Sequence, residues 1–417
     1  MNIFSKCYCR CYQFCFKIGM KLMNFRQPEL IDGLGNLANK VQEEGYTSIL
    51  IVTDDFLHNK GKLIDPLKAD FDEKGIKYAV YDKTVPNPTI QNIEEAYQMY
   101  NEIGANAIVA FGGGSPMDCA KGVGIRVARP DKTIPQMKGT LKVRKAIPTI
   151  FAVPTTSGTG SEATVAAVIS NPETHEKYPI NDPVLIPKYA VLDPSLTLGL
   201  PPHITSTTGM DALTHAVEAY IGKSTTAQTR DWSIKATKLI FENLEDVYND
   251  GSDLKKRKKM QEASYLAGMS FTRSYVGYVH AIAHALGGQY GVPHGLANAV
   301  ILPHVLDYFG KSAWVKLAEL ANAVGIQGTV EQQAKEFIRR IKEMNERMNI
   351  PTTIDKIKEE DIPTMVEHSL KEANPLYPVP KFMGKKEMTD MYYEIMGKTS
   401  VAKEDPVVED KQESKAE

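Results

Sequence analysis

The sequence predicts an α/β N-terminal half with a mostly parallel sheet, followed by an all-α C-terminal half. Strand-like apolar runs alternate with helical stretches up to about residue 199, and only helical periodicity follows. With 417 residues, the chain exceeds the usual size of a single hydrophobic core, which favours two domains. Gly199, Pro201 and Pro202 would break any continuing element, so we place the boundary there.

The strands of the first half are predicted from β-branched apolar runs. The runs TSILIVTDD, KYAVYDKTV, ANAIVAFGGG, IPTIFAVPTTSGTG and YAVLDPSL predict buried strands, and IQNIEEAYQMYNEIG predicts a helix between the second and third of them. Strands that alternate with helices form parallel sheets, which bind ligands at the carboxyl ends of the strands. Polar residues that directly follow these runs are therefore the first candidates for a binding site.

Both ends of the chain are predicted to lie outside the two domains. Residues 1–23 hold four of the five cysteines in a run that basic residues interrupt, which argues against a signal-peptide core. We expect a disordered extension, or a true start at Met20 or Met23, and a soft-metal thiolate site is an alternative. Residues 401–417 are acidic and poor in aromatic residues, so we expect a disordered tail.

The composition excludes several classes of partner. The formal net charge of −2 gives no reason to expect nucleic acid or an anionic membrane as a partner. No apolar stretch approaches the roughly 18 to 20 residues needed to cross a bilayer. After the N-terminal run Cys119 is the only cysteine, so we expect no disulfide framework and a reducing, cytoplasmic location.

A glycine turn follows the predicted strand ANAIVAF. Gly112, Gly113 and Gly114 would let the backbone approach a ligand closely. Ser115 would begin a helix whose free N–H groups face an anion such as pyrophosphate. The run is not G-x-G-x-x-G, and taken alone it is explained equally well by a turn that binds nothing.

Two further polar positions follow predicted strands. Asp54 ends the run TSILIVT, where a carboxylate would bind a ribose 2′-hydroxyl, although a helix cap is the simpler interpretation of its position. The turn PTTSGTGSE over 154–162 could bind phosphate or ribose, or be an ordinary loop. Three polar turns at consecutive strand ends favour a bound nucleotide over any other single explanation.

Residues suited to a metal ion gather in the helical half. Three of them share one face of a predicted helix, and three more follow in the segment VHAIAHALGGQYGVPHG. Buried imidazoles without partners would be costly and neutral His is the commonest metal ligand, although core histidines bonded to the backbone are an alternative. Carboxylate and imidazole without thiolate suit Fe²⁺ or Zn²⁺. Spacing alone does not choose the ligands among Asp211, His215, Glu218, His280, His284 and His294.

Together these segments resemble a known family. TTGMDALTHAVEAY and HAIAHALGGQYGVPHGLANAVILPHV, with FGGGSPMDCAK, VPTTSGTGSEAT and AVLDPSLTLGLPP, resemble the signature segments of the iron-containing (type III) alcohol dehydrogenases. The resemblance extends from about residue 25 to residue 397. It implies a dehydroquinate synthase-like architecture, with a Rossmann-like nucleotide domain over 24–199, an all-helical domain over 200–400 and a metal site in the cleft between them.

The resemblance also implies roles for individual residues. The positions that match the family's metal ligands are Asp211, His215, His280 and His294. His284 matches a position beside the metal that is linked to proton movement. The positions that match cofactor contacts are Asp54, Asn87, Gly113, Gly114, Ser115, Thr155, Thr156, Thr164, Lys177 and Leu196.

The function implied by the resemblance is interconversion of a primary alcohol or small diol and its aldehyde. Hydride would pass to or from NAD with the help of Fe²⁺, with Zn²⁺ as the alternative ion. The expected partners are a small-molecule alcohol or aldehyde and further copies of the chain, as a homodimer or higher homo-oligomer. The alternatives are a metal-dependent polyol (glycerol-type) dehydrogenase of the same fold and a non-catalytic metal- or nucleotide-binding assembly protein.

Overall fold

The computed structural model of the chain describes residues 1–23, 25–174 and 176–398. The predicted fold class is confirmed, because within these residues every strand precedes residue 193 and helices follow from Pro202 onward. The tail predicted over 401–417 lies outside the described residues. Among the described helices, none combines the length and the apolar character that a membrane span requires.

Nine strands are described. In chain order they are β1 (Glu29–Asp32), β2 (Ser48–Val52), β3 (Lys77–Tyr81), β4 (Ala107–Gly112), β5 (Gly139–Thr140), β6 (Thr149–Pro154), β7 (Ala166–Asn171), β8 (Glu176–Asn181) and β9 (Tyr189–Leu192). Six of them form a sheet in the order β1-β9-β6-β4-β2-β3, in which all neighbours are parallel. The other three form a small sheet in the order β5-β8-β7.

Fourteen α-helices are described. They are α1 (Ile3–Leu22), α2 (Leu37–Glu43), α3 (Asp65–Glu73), α4 (Ile90–Glu102), α5 (Gly114–Ala128), α6 (Pro202–Ile221), α7 (Ala227–Asn249), α8 (Leu254–Ser274), α9 (Tyr278–Tyr290), α10 (His294–Phe309), α11 (Trp314–Ala323), α12 (Val330–Arg347), α13 (Ile362–Ala373) and α14 (Lys385–Ile395).

The central strands of the large sheet are buried on both faces. Every residue of β2 and of β4 is buried, which explains their continuous apolar sequence. Along β2, Leu50 and Val52 belong to one apolar cluster, whereas Ile49 and Ile51 belong to the other. This alternation is the period of two expected for a strand between two helical layers.

The sheet has a change of direction between β2 and β4. From β2 the chain proceeds to β3 at one edge and then crosses back through α4 to β4, from which β6 continues the other way. In open parallel sheets, ligands bind at the carboxyl ends of the strands beside such a reversal. Asp54 follows β2 and the glycine turn follows β4, so two of the predicted polar turns lie on the two sides of this crevice.

The small sheet was not predicted from the sequence. Its β7 and β8 are antiparallel, with Ala166 opposite Asn181 and Ser170 opposite Lys177. Pro179 lies inside β8, and a proline within a short polar run lowers the strand signal. The omission matters because β8 carries Lys177 into the cleft described below.

The expectation of disorder over 1–23 is wrong for Ile3–Leu22, which form the helix α1. Asn2 caps the helix by accepting a hydrogen bond from the backbone N–H of Ser5. Cys9 is buried and belongs to the apolar cluster of the helical half. Of the basic residues that argued against a signal-peptide core, Arg10 packs on the helical half, because its guanidinium lies 4.0 Å from the centre of the Phe382 ring.

Candidate metal centre

Four side chains of the helical half converge on one point. In Asp211, His215, His280 and His294, one candidate ligand atom from each residue lies within 4.8 Å of the others. Asp211 Oδ1 is 4.0 Å from Nε2 of His215, 3.9 Å from Nε2 of His280 and 3.7 Å from Nε2 of His294. Tetrahedral donors at about 2.1 Å from an ion would be about 3.4 Å apart, so the cluster is only slightly wider than one ion requires.

Three helices bring these side chains together. Asp211 and His215 lie one turn apart on α6, which is buried from Gly209 to its end. His280 lies near the start of α9, and His294 is the first residue of α10, directly after Pro293. Because α10 packs against both α6 and α9, residues that are far apart in sequence share one site.

Glu218 lies beside the cluster and orients one of its members. Its carboxylate accepts the backbone N–H groups of Gly277 at 2.9 Å and Val279 at 2.8 Å. Its Oε2 lies 2.6 Å from Nδ1 of His280, so an ionised Glu218 holds the proton on Nδ1 and leaves Nε2 free. Of the six candidates from the sequence, Glu218 is therefore a supporting residue.

Burial keeps the three imidazoles in the form that binds a cation. Desolvation lowers the pKa of His215 to about 4 and that of His280 to about 3. Desolvation also places the pKa of His294 well below its usual value. Neutral imidazoles offer a lone pair at Nε2, whereas protonated ones would not.

The candidate ligand side chains offer more hydrogen-bond acceptors than the neighbouring protein groups can satisfy. The Asn298 amide donates to Asp211 Oδ1 at 2.6 Å, and the same nitrogen lies 3.2 Å from Nε2 of both His280 and His294. One amide group has only two protons for these three acceptors. A buried carboxylate and two neutral imidazoles that share a single donor, with the imidazole of His215 beside them, fit one divalent cation well.

The cluster opens into a cavity between the two halves of the chain. From the helical half, the cavity is lined by His215, His280, His284 and His294. From the α/β half, it is lined by Asn87, Gly114, Ser115, Asp118, Thr164 and Lys177. The structure therefore places three of the four predicted metal residues, and part of the predicted cofactor set, around one space.

The remaining predicted cofactor residues lie outside this cavity, near the same edge of the sheet. Thr155 and Thr156 directly follow β6, and Gly113 follows β4. Asp54 Oδ1 accepts the N–H of Leu57 at 3.0 Å, so the helix-cap interpretation of this residue is realised in the structure. Leu196 is a buried core residue after β9 and presents no polar group to a ligand.

The glycine turn is tightly packed. A Cβ atom at Gly114 would lie 2.7 Å from Cγ2 of Thr159, and one at Gly113 would lie 3.3 Å from the side chain of Thr156. Both positions therefore favour glycine, which has no Cβ atom. The turn leads directly into α5, whose first N–H groups have no partner within the helix and can face an anion.

The chain matches two family models that together cover most of its length. Residues 31–194 match the model described as iron-containing alcohol dehydrogenase, and residues 205–396 match the C-terminal model of the Fe-containing alcohol dehydrogenase family. The chain belongs to the iron-containing alcohol dehydrogenase family. The family predicted from the sequence is thus confirmed, together with the prediction of an NAD-dependent, iron-type alcohol dehydrogenase. The two alternative functions are not favoured.

Individual relatives support the same conclusion. Alcohol dehydrogenase 4 of Saccharomyces cerevisiae (strain YJM789) is 38% identical over 82% of this chain and 89% of its own length. The 1,3-propanediol dehydrogenase of Citrobacter freundii is 38% identical over 89% of this chain and 96% of its own.

Solved structures agree with the fold. An alcohol dehydrogenase from Oenococcus oeni superposes with a TM-score of 0.85 at 36% identity, covering 89% of this chain and 99% of its own. A sulfoacetaldehyde reductase from Bifidobacterium kashiwanohense in complex with NAD⁺ superposes with a TM-score of 0.78 at 27% identity, covering 89% and 98%.

In this alcohol dehydrogenase, His284 has a partner that the sequence analysis missed. Its Nδ1 lies 2.8 Å from Oε1 of Glu372, and the Tyr377 hydroxyl donates to the same oxygen at 2.7 Å. Glu372 lies on α13, 88 residues after His284. A single glutamate in the polar segment HSLKEANP gave no signal of this contact.

Two lysines fix the α/β side of the cleft. Lys177 donates to Asn87 Oδ1 at 2.7 Å, and burial lowers the pKa of Lys177 to about 8. Lys121, which was not predicted, is fully buried on α5 and donates to oxygens of Ser161, Thr164 and Ala166. The available signal was a lysine inside the otherwise apolar stretch CAKGVGI. Lys121 holds the loop that lines the cavity.

Proposed function

We propose that this alcohol dehydrogenase interconverts a primary alcohol or small diol and its aldehyde with NAD, assisted by one divalent ion. The proposed ligands are Asp211, His215, His280 and His294, and the proposed ion is Fe²⁺, with Zn²⁺ as the alternative. The observation that carries the proposal is the convergence of one carboxylate and three neutral imidazoles on one point, with the three imidazoles and Gly114 of the glycine turn lining the same cavity. The names of the yeast and Citrobacter relatives support alcohols and short diols as the substrate class.

The metal residues are arranged to present lone pairs to a cation. When bound there, a divalent ion would polarise the substrate oxygen and lower the pKa of an alcohol hydroxyl. Asp211 supplies a negative charge and the three imidazoles supply neutral donors. Glu218 keeps Nε2 of His280 unprotonated, because its carboxylate accepts a hydrogen bond from Nδ1–H and so holds the ring proton on Nδ1.

The proposed cofactor contacts lie along the edge of the sheet. NAD accepts or returns the hydride at its nicotinamide ring. Gly113, Gly114 and Ser115 would hold the pyrophosphate at the start of α5, where free N–H groups favour negative charge. Asp54 would accept hydrogen bonds from the adenosine ribose and repel a 2′-phosphate. The further proposed contacts are Asn87, Thr155, Thr156, Thr164, Lys177 and Leu196.

His284 is proposed to move the substrate proton. It lines the cavity beside His280 and His294, with ring centres 6.1 Å and 5.2 Å away. Glu372 accepts a hydrogen bond from Nδ1–H of His284, so Nε2 is the atom that would receive a proton from the alcohol. In the reduction direction, the same atom would return the proton to the forming alcohol.

The test uses one buried and one peripheral histidine. We expect His280→Ala to lose bound metal and NAD-dependent turnover together, because the cluster would lose a ligand. His304→Ala is the matched control, since His304 pairs with Glu394 outside the cavity and should keep both properties. Metal content is measured by mass spectrometry after a chelator wash, and turnover is measured at the nicotinamide absorbance band with Fe²⁺ or Zn²⁺ added. Full turnover of chelator-washed His280→Ala would contradict the ligand assignment.

The cytoplasmic location and the homodimer or higher homo-oligomer remain predictions. All five cysteines are free, which agrees with a reducing compartment. Cell fractionation checks the location, and light scattering on a size-exclusion column checks the oligomer. A panel of ethanol, 1,2-propanediol, 1,3-propanediol, lactaldehyde and longer primary alcohols would identify the preferred substrate.

A further inference from the structure

We propose that the N-terminal helix α1 shapes the substrate cavity by holding two of its aromatic walls, Tyr275 and Tyr377. The inference depends on the proposed alcohol–aldehyde function, because it concerns which alcohols that cavity admits. Helix α1 lies outside the segments 31–194 and 205–396 that match the family models, so it is an element of this chain beyond the matched regions.

The first wall contacts the C-terminal part of α1. Tyr275 lines the cavity that holds the metal cluster. The Phe16 ring meets the Tyr275 ring edge-on, with centres 5.5 Å apart, and the Tyr275 hydroxyl lies 3.9 Å from Sδ of Met20. These two side chains of α1 therefore pack against a residue that lines the substrate cavity.

The backbone of Tyr275 needs such support. Tyr275 follows the last residue of α8 and has φ of +64°, in the left-handed region that bulky residues avoid. The ring is therefore held in place by its neighbours against a local backbone preference. Phe16, Met20, Phe25 and Tyr275 also line a crevice beneath the end of α1. If Phe16 were truncated, the Tyr275 ring would have room to move toward this crevice and widen the cavity.

The second wall is held by the middle of α1. The Gln13 side chain is buried, and its amide donates to the carbonyl of Pro375 at 2.9 Å and to the carbonyl of Tyr377 at 2.8 Å. Arg10 donates to the carbonyl of Pro380 at 3.2 Å in the same loop. The Tyr377 hydroxyl donates to Glu372, the partner of His284. Gln13 is therefore a positioning residue that acts through Tyr377 on the proton-transfer pair.

The opposite face of α1 provides a matched control. Phe14 is 66% exposed, so its ring supports no cavity wall. Phe14 and Phe16 are the same residue type two positions apart on one helix. A change that follows Phe16 and not Phe14 is thus a change transmitted to the cavity.

The experiment compares Phe16→Ala, Gln13→Met and Phe14→Ala in the full-length, metal-loaded enzyme. The probes are straight-chain primary alcohols from ethanol to 1-hexanol with NAD. We expect Phe16→Ala to raise the ratio of kcat/KM for 1-hexanol to that for ethanol by about tenfold, the discrimination an apolar pocket gives for one or two methylenes. The change should lie mainly in the KM of the alcohol, with the KM of NAD unchanged. Gln13→Met should lower kcat for every alcohol, and Phe14→Ala should match the wild type.

Amide hydrogen exchange gives a readout that does not require turnover. We expect faster exchange over 274–279 in Phe16→Ala and over 375–379 in Gln13→Met, and no change in Phe14→Ala. Phe16→Leu replaces Phe16→Ala if the alanine variant does not fold. If the wild type oxidises no alcohol, the proposed function fails, and the exchange data still decide whether α1 holds the two walls. An unchanged alcohol ratio with unchanged exchange in the Phe16 variant would overturn the inference.

Discussion

Replacing Glu218 with Gln tests how the buried carboxylate controls the metal centre. The side chain keeps its size, and the carboxylate loses its charge and one acceptor. Glu218 now accepts from three donors, at 2.6 to 2.9 Å, in the interior of the protein. An amide offers one oxygen and one NH₂ group, so it cannot accept from both sides.

Both orientations of the amide introduced by Glu218→Gln should weaken the binding of the metal ion. If its NH₂ group faces His280, that imidazole must accept at Nδ1 and carry its proton on Nε2, which removes a ligand. If the NH₂ group faces Val279, a buried N–H loses its acceptor at a cost of about 1–3 kcal/mol. In either case His280 loses the negative partner that increases its basicity. Losing such a partner lowers metal affinity about 10- to 100-fold, or about 1.4–2.7 kcal/mol.

Competition with a chromophoric chelator measures the Kd of Zn²⁺ for the wild type and for Glu218→Gln. The matched control is Glu394→Gln, because Glu394 pairs with His304 Nδ1 at 3.0 Å in an exposed position outside the site. We expect the control to bind Zn²⁺ as the wild type does. Equal Kd values for Glu218→Gln and the wild type would refute the role assigned to this carboxylate.

Three further substitutions test the cofactor edge, the proton-transfer group and a buried carboxyl of the 154–162 turn. Asp54→Asn should keep an acceptor for the N–H of Leu57 and remove the charge that repels a 2′-phosphate. The ratio of kcat/KM for NADP to that for NAD should therefore rise about tenfold or more. An unchanged ratio in steady-state assays would exclude Asp54 from cofactor choice. His284→Ala should lower kcat by about 100-fold with metal content unchanged, as expected for loss of a proton-transfer group; loss of the metal in this variant would point to a ligand role instead. Burial raises the pKa of the Glu162 carboxyl from its usual 4.5 to about 7. Between pH 4.5 and 7 the folded state therefore keeps a proton on this carboxyl that the unfolded state has released. The wild type consequently loses stability as the pH rises through this range. Relative to the wild type, Glu162→Gln should gain up to ~3 kcal/mol in the free energy of unfolding across that range, measured by urea denaturation at several pH values; a difference that does not vary with pH would contradict this.

The sequence predicted the large sheet well because its strands are buried on both faces. Runs such as SILIV are almost entirely apolar, and the glycines after β4 mark an abrupt turn. The small sheet was missed because β7 and β8 each bury only one face and β8 contains Pro179. Partial burial removes the continuous apolar signal on which the strand predictions depended.

At the metal centre, spacing identified the candidate residues and could not separate ligands from supports. Asp211, His215 and Glu218 share a helix face, and what distinguishes Glu218 is the approach of the N–H groups of Gly277 and Val279 from another part of the chain. Such contacts join residues about 60 positions apart, which no local pattern encodes. The same reason hid the pairing of Glu372 with His284.

The N-terminal segment shows a different limit. The cysteine-rich run predicts a disordered extension or a later start, whereas the structure buries Cys9 and Gln13 on one face of α1 and exposes Phe14 on the other. The apolar residues are interrupted by polar ones that are themselves satisfied by the loop after α13. A polar side chain that binds backbone carbonyls of a distant loop looks, in sequence, like a surface residue.

Anomalous diffraction at the absorption edge of the bound metal shows directly whether the four proposed ligands hold one ion. For crystals of the active, metal-loaded enzyme, we predict one peak per chain, with Asp211 Oδ1 and Nε2 of His215, His280 and His294 each about 2.0–2.2 Å away. A peak at other residues, or crystals of fully active enzyme with no peak at this cluster, would contradict the four-ligand metal site.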